Sequence, residues 1–304
     1  MKRIIVAGGT GLIGRAFIKK MIEEDKEVVL LSRKQQLEGL HPAVKLVQWD
    51  GKTAGDWQRW LEGAQAVVNL AGENIGAGLW TPQRKMRIVA SRVDAGRALV
   101  TALKQTSHRP PVFLQASAIG YYGITTGQPA TEASLAGRGY LPSVCLDWEG
   151  STLGVENLGL RRVVMRTGIV LARDGGALPP MLPLFRFFAG GPLGSGRQVW
   201  SWISMADEVA AMAWLLENKT ARGVYNLTGP TPATMAEIGR TLASVLRRPY
   251  WLPAPAFALR LVLGEMSSLL LDSQNIFPQR LLDAGYTFQY PRLKGAIESL
   301  GLTA

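Results

Sequence analysis

Three glycines, Gly8, Gly11 and Gly14, stand three residues apart in the run RIIVAGGTGLIGRAF, residues 3–17. Apolar residues precede them and a helix-spaced pattern follows. Glycines at this spacing make a tight turn and let the backbone approach a pyrophosphate, at which the following helix points its free N–H groups. A nucleoside-triphosphate loop would end in Gly-Lys-Ser/Thr, and Gly14-Arg15-Ala16 does not. The chemistry is therefore dinucleotide binding. The next β-branched run ends in Leu31-Ser32-Arg33-Lys34. A carboxylate there would serve the ribose hydroxyls of NAD; Ser32 and Arg33 instead suit a 2′-phosphate, which favours NADP. Asp50, after the third such run, stands either at the adenine edge or in a turn.

Other chemistries find little support. The two histidines, His41 and His108, are far apart and lie in no metal-ligand spacing, and the single cysteine, Cys145, cannot build a metal site or an internal disulfide. No metal is expected. One cysteine also fits a reducing, cytoplasmic setting. The net charge of +11 is spread over scattered pairs such as Arg33-Lys34, Arg161-Arg162 and Arg247-Arg248, without a basic block interleaved with aromatics. We therefore expect no nucleic-acid partner. No run reaches the roughly 18 apolar residues of a membrane span, and no membrane partner is expected. The apolar run after Met1-Lys2-Arg3 is too short for a signal peptide and reads as a first strand.

These residues need elements to hold them. With 304 residues, 47% hydrophobic and 19% charged, the chain can bury one large core or two that share a cleft. Apolar runs at 3–7, 27–33, 44–49, 66–72, 111–118 and 162–171 suit strands buried on both faces. Helical patterns at 12–24, 82–105 and 143–157 alternate with them, which predicts an α/β doubly wound parallel sheet of the Rossmann kind. After residue 172 the chain turns rich in Gly and Pro, with one short helix expected in RDGGALPPMLPLFRFFAGGPLGSGR. Helices are expected in ADEVAAMAWLLEN and TMAEIGRTLASVLRRP. We divide the chain into a dinucleotide-binding domain, 1–172, with a strand returning near 223–228, and a smaller, mostly helical substrate lobe, 173–304.

Several segments together resemble the extended short-chain dehydrogenase/reductase superfamily. They are the GGTGLIG loop, Ser32-Arg33, NLAGENI (69–75), SRVDAGRALV (91–100), ASAIGYYG (116–123), RTGIVLARDGGAL (166–178) and GGPLGSGRQVWSWI (190–203). More narrowly the chain resembles the atypical, sugar-nucleotide-epimerase-like branch, whose C-terminal domain of unknown function is similar to LGEMSSLLLDSQNIFPQRLLDAGYTFQYPRLKGAIESL here. The resemblance implies an NADP(H)-dependent oxidoreductase or epimerase acting on a small molecule whose identity it leaves open, a nucleotide sugar being one candidate; the alternative is a sensor or scaffold that binds NADP(H) without redox turnover. It places Thr10, Gly11, Leu12 and Ile13 against the pyrophosphate. Leu70, Ala71 and Gly72 fall on the adenosine side, Arg92 reaches the cofactor, and Val170 lies near the nicotinamide.

The superfamily's hydride chemistry uses a hydroxyl, a tyrosine and a lysine four residues after the tyrosine, which lowers the phenol's pKa. Ser117 fits the hydroxyl. Counting back from Trp148-Glu149 puts the lysine position at Cys145 and the tyrosine position at Leu141, beside Tyr140. There is no lysine between Lys104 and Lys219. Tyr122, its neighbour Tyr121, and Tyr140 are the candidate acids, with Arg138 or Arg166 as a source of charge. The same aromatics equally suit packing. Arg197 in GGPLGSGR suits a substrate phosphate. Trp80, Trp200 and Trp202 suit either stacking on substrate or, for the last two, alternating strand positions.

Overall fold

A computed structural model of the chain describes residues 2–302. Seven strands form one parallel sheet: β1 (Arg3–Ala7), β2 (Glu27–Ser32), β3 (Val44–Gln48), β4 (Ala66–Asn69), β5 (Val112–Ala118), β6 (Arg161–Thr167) and β10 (Gly223–Leu227). Their order is β10-β6-β5-β4-β1-β2-β3. The strands alternate faces as the two-residue period demands. Ile4 and Val6 of β1 join Phe17, Met21, Met212 and Leu215 on one face; Ile5 and Ala7 join Leu99, Leu103 and Phe113 on the other. Helices α1 (Leu12–Glu23) and α5 (Met205–Glu217) cover the first face, and α2 (Pro82–Lys104) covers the second. The fold class is thus the expected Rossmann-like sheet. Strand order reverses between β1 and β4, the place where such sheets hold ligands beyond their carboxyl ends.

Two elements differ from their sequence reading. The run 162–171 is two strands: β6 pairs with β5 and β10, whereas β7 (Ile169–Leu171) leaves the sheet to pair with β9 (Trp202–Ser204). Gly168 makes the break, because a Cβ there would strike the Ser201 carbonyl. The helix read at 143–157 is α3 (Tyr140–Gly150), followed by a 3-10 turn over Leu153–Leu158. Close packing on α2 explains the change: a Cβ on Gly96 would meet Ser151, and one on Gly154 would lie 2.9 Å from Val100.

The rest of the chain builds a further core at the sheet's carboxyl end. The short helix α4 (Leu182–Arg186), the strands β8 (Val199–Trp200) and β11 (Ala233–Thr234), and helices α6 (Met235–Leu246) and α10 (Leu293–Glu298) pack around Trp200, Trp202, Phe185 and Leu242. Helices α7 (Ala256–Leu263) and α8 (Ser268–Leu271) pack on it through Leu259 and Leu270, whereas α9 (Gln279–Asp283) places Leu281 in the sheet's own core beside β10. A reciprocal capping box, Thr234 with Glu237, starts α6. Among the described residues, no helix is long and apolar enough to cross a membrane.

Candidate cofactor and active site

The glycine turn sits where strand order reverses. Gly8 has φ +78°, and a Cβ on it would lie 2.5 Å from the Leu70 carbonyl carbon, so the turn after β1 presses directly on the turn after β4. A Cβ on Gly14 would lie 2.5 Å from Gly9 Cα, so the first turn of α1 also needs a bare backbone. Gly11 differs: a Cβ there would meet only the Gly8 carbonyl, at 3.5 Å. It is the N-cap of α1, supplies no side-chain cap, and is followed by no acid in the first turn. The N–H groups of Leu12 and Ile13 are therefore open to an anion. Thr10 and Gly11 are exposed and Leu12 and Ile13 half-buried. A Cβ on Gly175 would lie 2.7 Å from Leu12 Cδ1, and one on Gly176 would lie 2.6 Å from the Val170 carbonyl. The segment after β7 thus lies across the start of α1 and brings Val170, itself buried, close to the glycine turn.

At the end of β2, Ser32 is buried and its hydroxyl accepts from the Lys34 N–H at 3.1 Å. Arg33 and Lys34 are exposed, and the Arg33 guanidinium has no hydrogen-bond or ion-pair partner among the described residues. Asp50 forms a turn after β3. Its carboxylate accepts the Lys52 and Thr53 N–H groups at 2.8 and 2.9 Å and the Thr53 hydroxyl at 2.6 Å, and these bonds hold its pKa below the usual range.

Beyond β4, Leu70 is half-buried, Ala71 buried and Gly72 exposed. A Cβ on Gly72 would lie 3.1 Å from Arg92 Cζ. Arg92 lies behind this turn, buried, with its guanidinium 4.7 Å from the Trp148 ring and bonded to the Glu73 and Ile88 carbonyls. The glycine turn, the exposed cation and the bare Gly72 surface fit a dinucleotide: each is a place where a larger side chain or a paired charge would obstruct one.

The catalytic candidates separate into two groups. Ser117 is 3% exposed and donates to Glu149 Oε1 at 2.6 Å. Arg166 grips the same carboxylate with two bonds, 2.8 and 2.9 Å, and donates to the Tyr122 hydroxyl at 3.0 Å. Tyr122 in turn donates to Asn226 Oδ1 at 2.7 Å. Burial raises the Tyr122 pKa, against the pull of Arg166. The Arg166 guanidinium also lies 3.2 Å from the Tyr121 ring centre. One buried network therefore holds Ser117 and Tyr122, on β5 and the 3-10 turn after it. Tyr140 belongs elsewhere: it packs edge-on to Trp80 and donates to the Lys85 carbonyl of α2 at 3.2 Å. Trp80 is buried in that cluster.

The two positions read as tyrosine and lysine face the same turn. A Cβ on Gly120 would lie 3.4 Å from Leu141 Cβ and 3.7 Å from Cys145 Sγ. The Cys145 thiol donates to the Ala118 carbonyl at 3.6 Å, and burial pushes its pKa up to about 11. Arg138 is exposed. Trp200 and Trp202 are fully buried in the C-terminal core, the strand alternative for this pair. Ser201 between them points the other way, to the Gln274 and Ile276 carbonyls. Arg197 is exposed.

Glu149 and Asn226, the links of the buried network, were not singled out from sequence. Glu149 had one signal, its place one helical turn after Cys145; Asn226 had none, since β10 reaches β6 only through the fold.

Comparison with known proteins agrees with this architecture. Residues 4–143 match the NAD dependent epimerase/dehydratase family, and residues 254–300 match a domain of unknown function, DUF1731. The chain is 38% identical to the chloroplastic epimerase family protein SDR39U1 homolog of Arabidopsis thaliana, over 98% of this chain and 86% of that protein. The chain belongs to the epimerase family. An epimerase family protein of Staphylococcus saprophyticus is also 38% identical, over 99% of both chains. Among solved structures, human epimerase family protein SDR39U1 with NADPH superposes with a TM-score of 0.87 at 30% identity, covering 98% of each chain. A nucleoside-diphosphate sugar epimerase from Corynebacterium glutamicum superposes with a TM-score of 0.80 at 28% identity, covering 99% of this chain and 58% of that one. The epimerase-family fold accounts for the whole chain, including the C-terminal core. The reaction rests on the site residues themselves.

Proposed function

We propose that this epimerase-family chain binds NADP(H) in the cytoplasm and acts on a small molecule of the nucleotide-sugar class, as an oxidoreductase or epimerase. The observation that carries the reading is Arg33, exposed and unpaired one residue beyond β2, in a chain whose relative of known structure holds NADPH over the same fold. Gly8, Thr10, Gly11, Leu12, Ile13 and Gly14 would hold the pyrophosphate, and Ser32 and Arg33 the 2′-phosphate. Leu70, Ala71 and Gly72 would flank the adenosine, with Arg92 supporting Gly72 from behind, and Val170 would stand on the nicotinamide side. The bound cofactor would supply the hydride acceptor or donor. In this reading Ser117 and Tyr122, held by the Glu149–Arg166 network, are the hydroxyls offered to substrate. Removing a charged contact to the 2′-phosphate costs about 1.5–3 kcal/mol, roughly ten- to a hundredfold in affinity. Titrating Arg33→Ala by nicotinamide fluorescence should show that loss for NADPH and little change for NADH. Equal affinity of the unaltered protein for both would remove the assignment.

A second reading, a sensor that binds NADP(H) without turnover, draws on one observation. The position read as lysine is a buried thiol, and the nearby Arg166 is already neutralised by Glu149. A phenol near pKa 10 is a poor base at neutral pH without an unpaired cation beside it. A substrate screen following NADPH oxidation decides between the two. Turnover that falls in Ser117→Ala and Tyr122→Phe supports the enzyme; binding with no turnover across nucleotide sugars and small carbonyls supports the sensor.

A further inference from the structure

Two stretches, 175–206 and 238–264, contain no Asp or Glu; they contain six arginines. The fold lays them side by side. The Trp251 and Leu252 N–H groups both donate to the Gly190 carbonyl, and the Ala254 N–H donates to the Pro192 carbonyl. The Trp251 indole donates to the Phe188 carbonyl at 2.8 Å, and Arg248 lies 4.8 Å over the Phe188 ring. This zipper leads directly into α7.

The surface so made is apolar. Phe187 is 82% exposed, Phe188 55%, Trp251 63%, Phe257 73%, Leu261 85% and Val262 68%. Helix α7 has no buried residue; Leu259, half-buried, packs on the C-terminal core. Phe257 and Leu261 stand two residues either side of Leu259, about 160° around the helix axis, and so point away from the protein. Exposed aromatic and aliphatic side chains gathered on adjoining segments mark a contact surface rather than scattered surface residues. Arg186, Arg247 and Arg260 are exposed on the same segments, and Arg248 is half-buried; none forms an ion pair among the described residues. The nearest acids are otherwise engaged or set back. Glu265 pairs with Lys85, Glu237 caps α6, and Asp272, its pKa raised by burial, lies near Arg260.

We infer that this face docks on an anionic lipid surface, with the aromatic and aliphatic side chains in the headgroup region and the arginines on the lipid phosphates. Apolar side chains rimmed by unpaired arginines match the two forces that hold peripheral proteins to membranes. A second copy of the chain fits less well. A two-fold contact would set the acid-free face on itself and bring arginine against arginine. The inference revises the expectation of no membrane partner, which rested on the lack of a spanning run; a docking face needs none. It does not depend on cofactor binding.

The test is co-sedimentation of the full chain with vesicles of phosphatidylglycerol mixed with phosphatidylcholine, against vesicles of phosphatidylcholine alone. Binding to the mixed vesicles should be at least about tenfold stronger and should weaken at high salt. Phe187→Ser/Leu261→Ser and, separately, Arg247→Glu/Arg248→Glu should remain in the supernatant with unchanged unfolding midpoints, since these residues carry little of the core. The inference is overturned if the unaltered protein stays in solution, binds both vesicle types equally, or if the apolar variant sediments as well as its parent. Light scattering adds a third arm: a dimer that the Phe187→Ser/Leu261→Ser variant splits would assign the face to a second copy instead.

Discussion

Gly8 shows what one atom decides. Its φ of +78° costs any other residue about 1–2 kcal/mol, and a Cβ would also strike backbone at Leu70. Gly8→Ala should therefore destabilise the protein by about 2–4 kcal/mol in denaturant unfolding and abolish dinucleotide binding. Glu208 is a second decisive residue. It is 1% exposed; Oε1 accepts the Thr167 hydroxyl at 2.8 Å, while Oε2 finds no partner among the described residues. Burial pushes its pKa up to about 8. The folded chain therefore holds a proton that the unfolded chain releases above the ordinary glutamate pKa, so stability falls as pH rises from about 4.5 to about 8. Glu208→Gln keeps the acceptor and removes the titration. Its unfolding midpoint should vary less than that of the unaltered protein between about pH 5 and pH 8, and should exceed it most at the alkaline end. A parallel pH dependence in both would assign the effect elsewhere. Nothing in the spacing around Glu208 distinguishes it from an ordinary acid in the first turn of a helix; its burial comes from the packing of α5 on β5, β6 and β7, with Thr167 at the end of β6 against it.

At the scale of elements, the Glu149–Arg166 pair ties α3 to β6, and through Ser117 to β5. Its oxygens and nitrogens are nearly all paired, so breaking one side strands the other. Glu149→Ala should cost about 3–5 kcal/mol, while Glu149→Leu/Arg166→Met should cost less than the sum of the two single changes. A double-mutant cycle in denaturant measures the coupling; additivity would show the pair to be incidental. The strands themselves were legible because a short, continuous β-branched apolar run, as doubly buried strands require, is a local signal. The division of 162–171 was not, because Gly168 ends β6 by what it meets across the fold, the Ser201 carbonyl. The short α3 has the same origin, in the close approach to α2.

At the scale of the molecule, the sheet is closed by residues far along the chain. β10 pairs with β6 from Gly223 to Leu227, and α5 supplies Met212 and Leu215 to the core under β1. Arg161 fastens this return, donating to the Leu215, Leu216 and Ala221 carbonyls. A fragment ending at residue 172 would expose β6 as an apolar edge and uncover one face of the sheet. We expect it to be insoluble or unfolded by circular dichroism, whereas a fragment ending just past β10 should retain more structure; a stable, cooperative 1–172 fragment would support the division of the chain at that point.

The sequence alone determined the glycine turn, the cation after β2 and the alternation of strand and helix. Each of these is set by neighbours within a few residues, where backbone sterics and hydrophobic period act. Tertiary structure decided which hydroxyls meet. Ser117, Glu149, Arg166, Tyr122 and Asn226 come from five segments, and only parallel pairing of β5, β6 and β10 brings them within hydrogen-bond reach. It likewise gathered two separate acid-free stretches into one exposed face. Contacts between distant segments depend on register and packing, which no local pattern of residue types encodes.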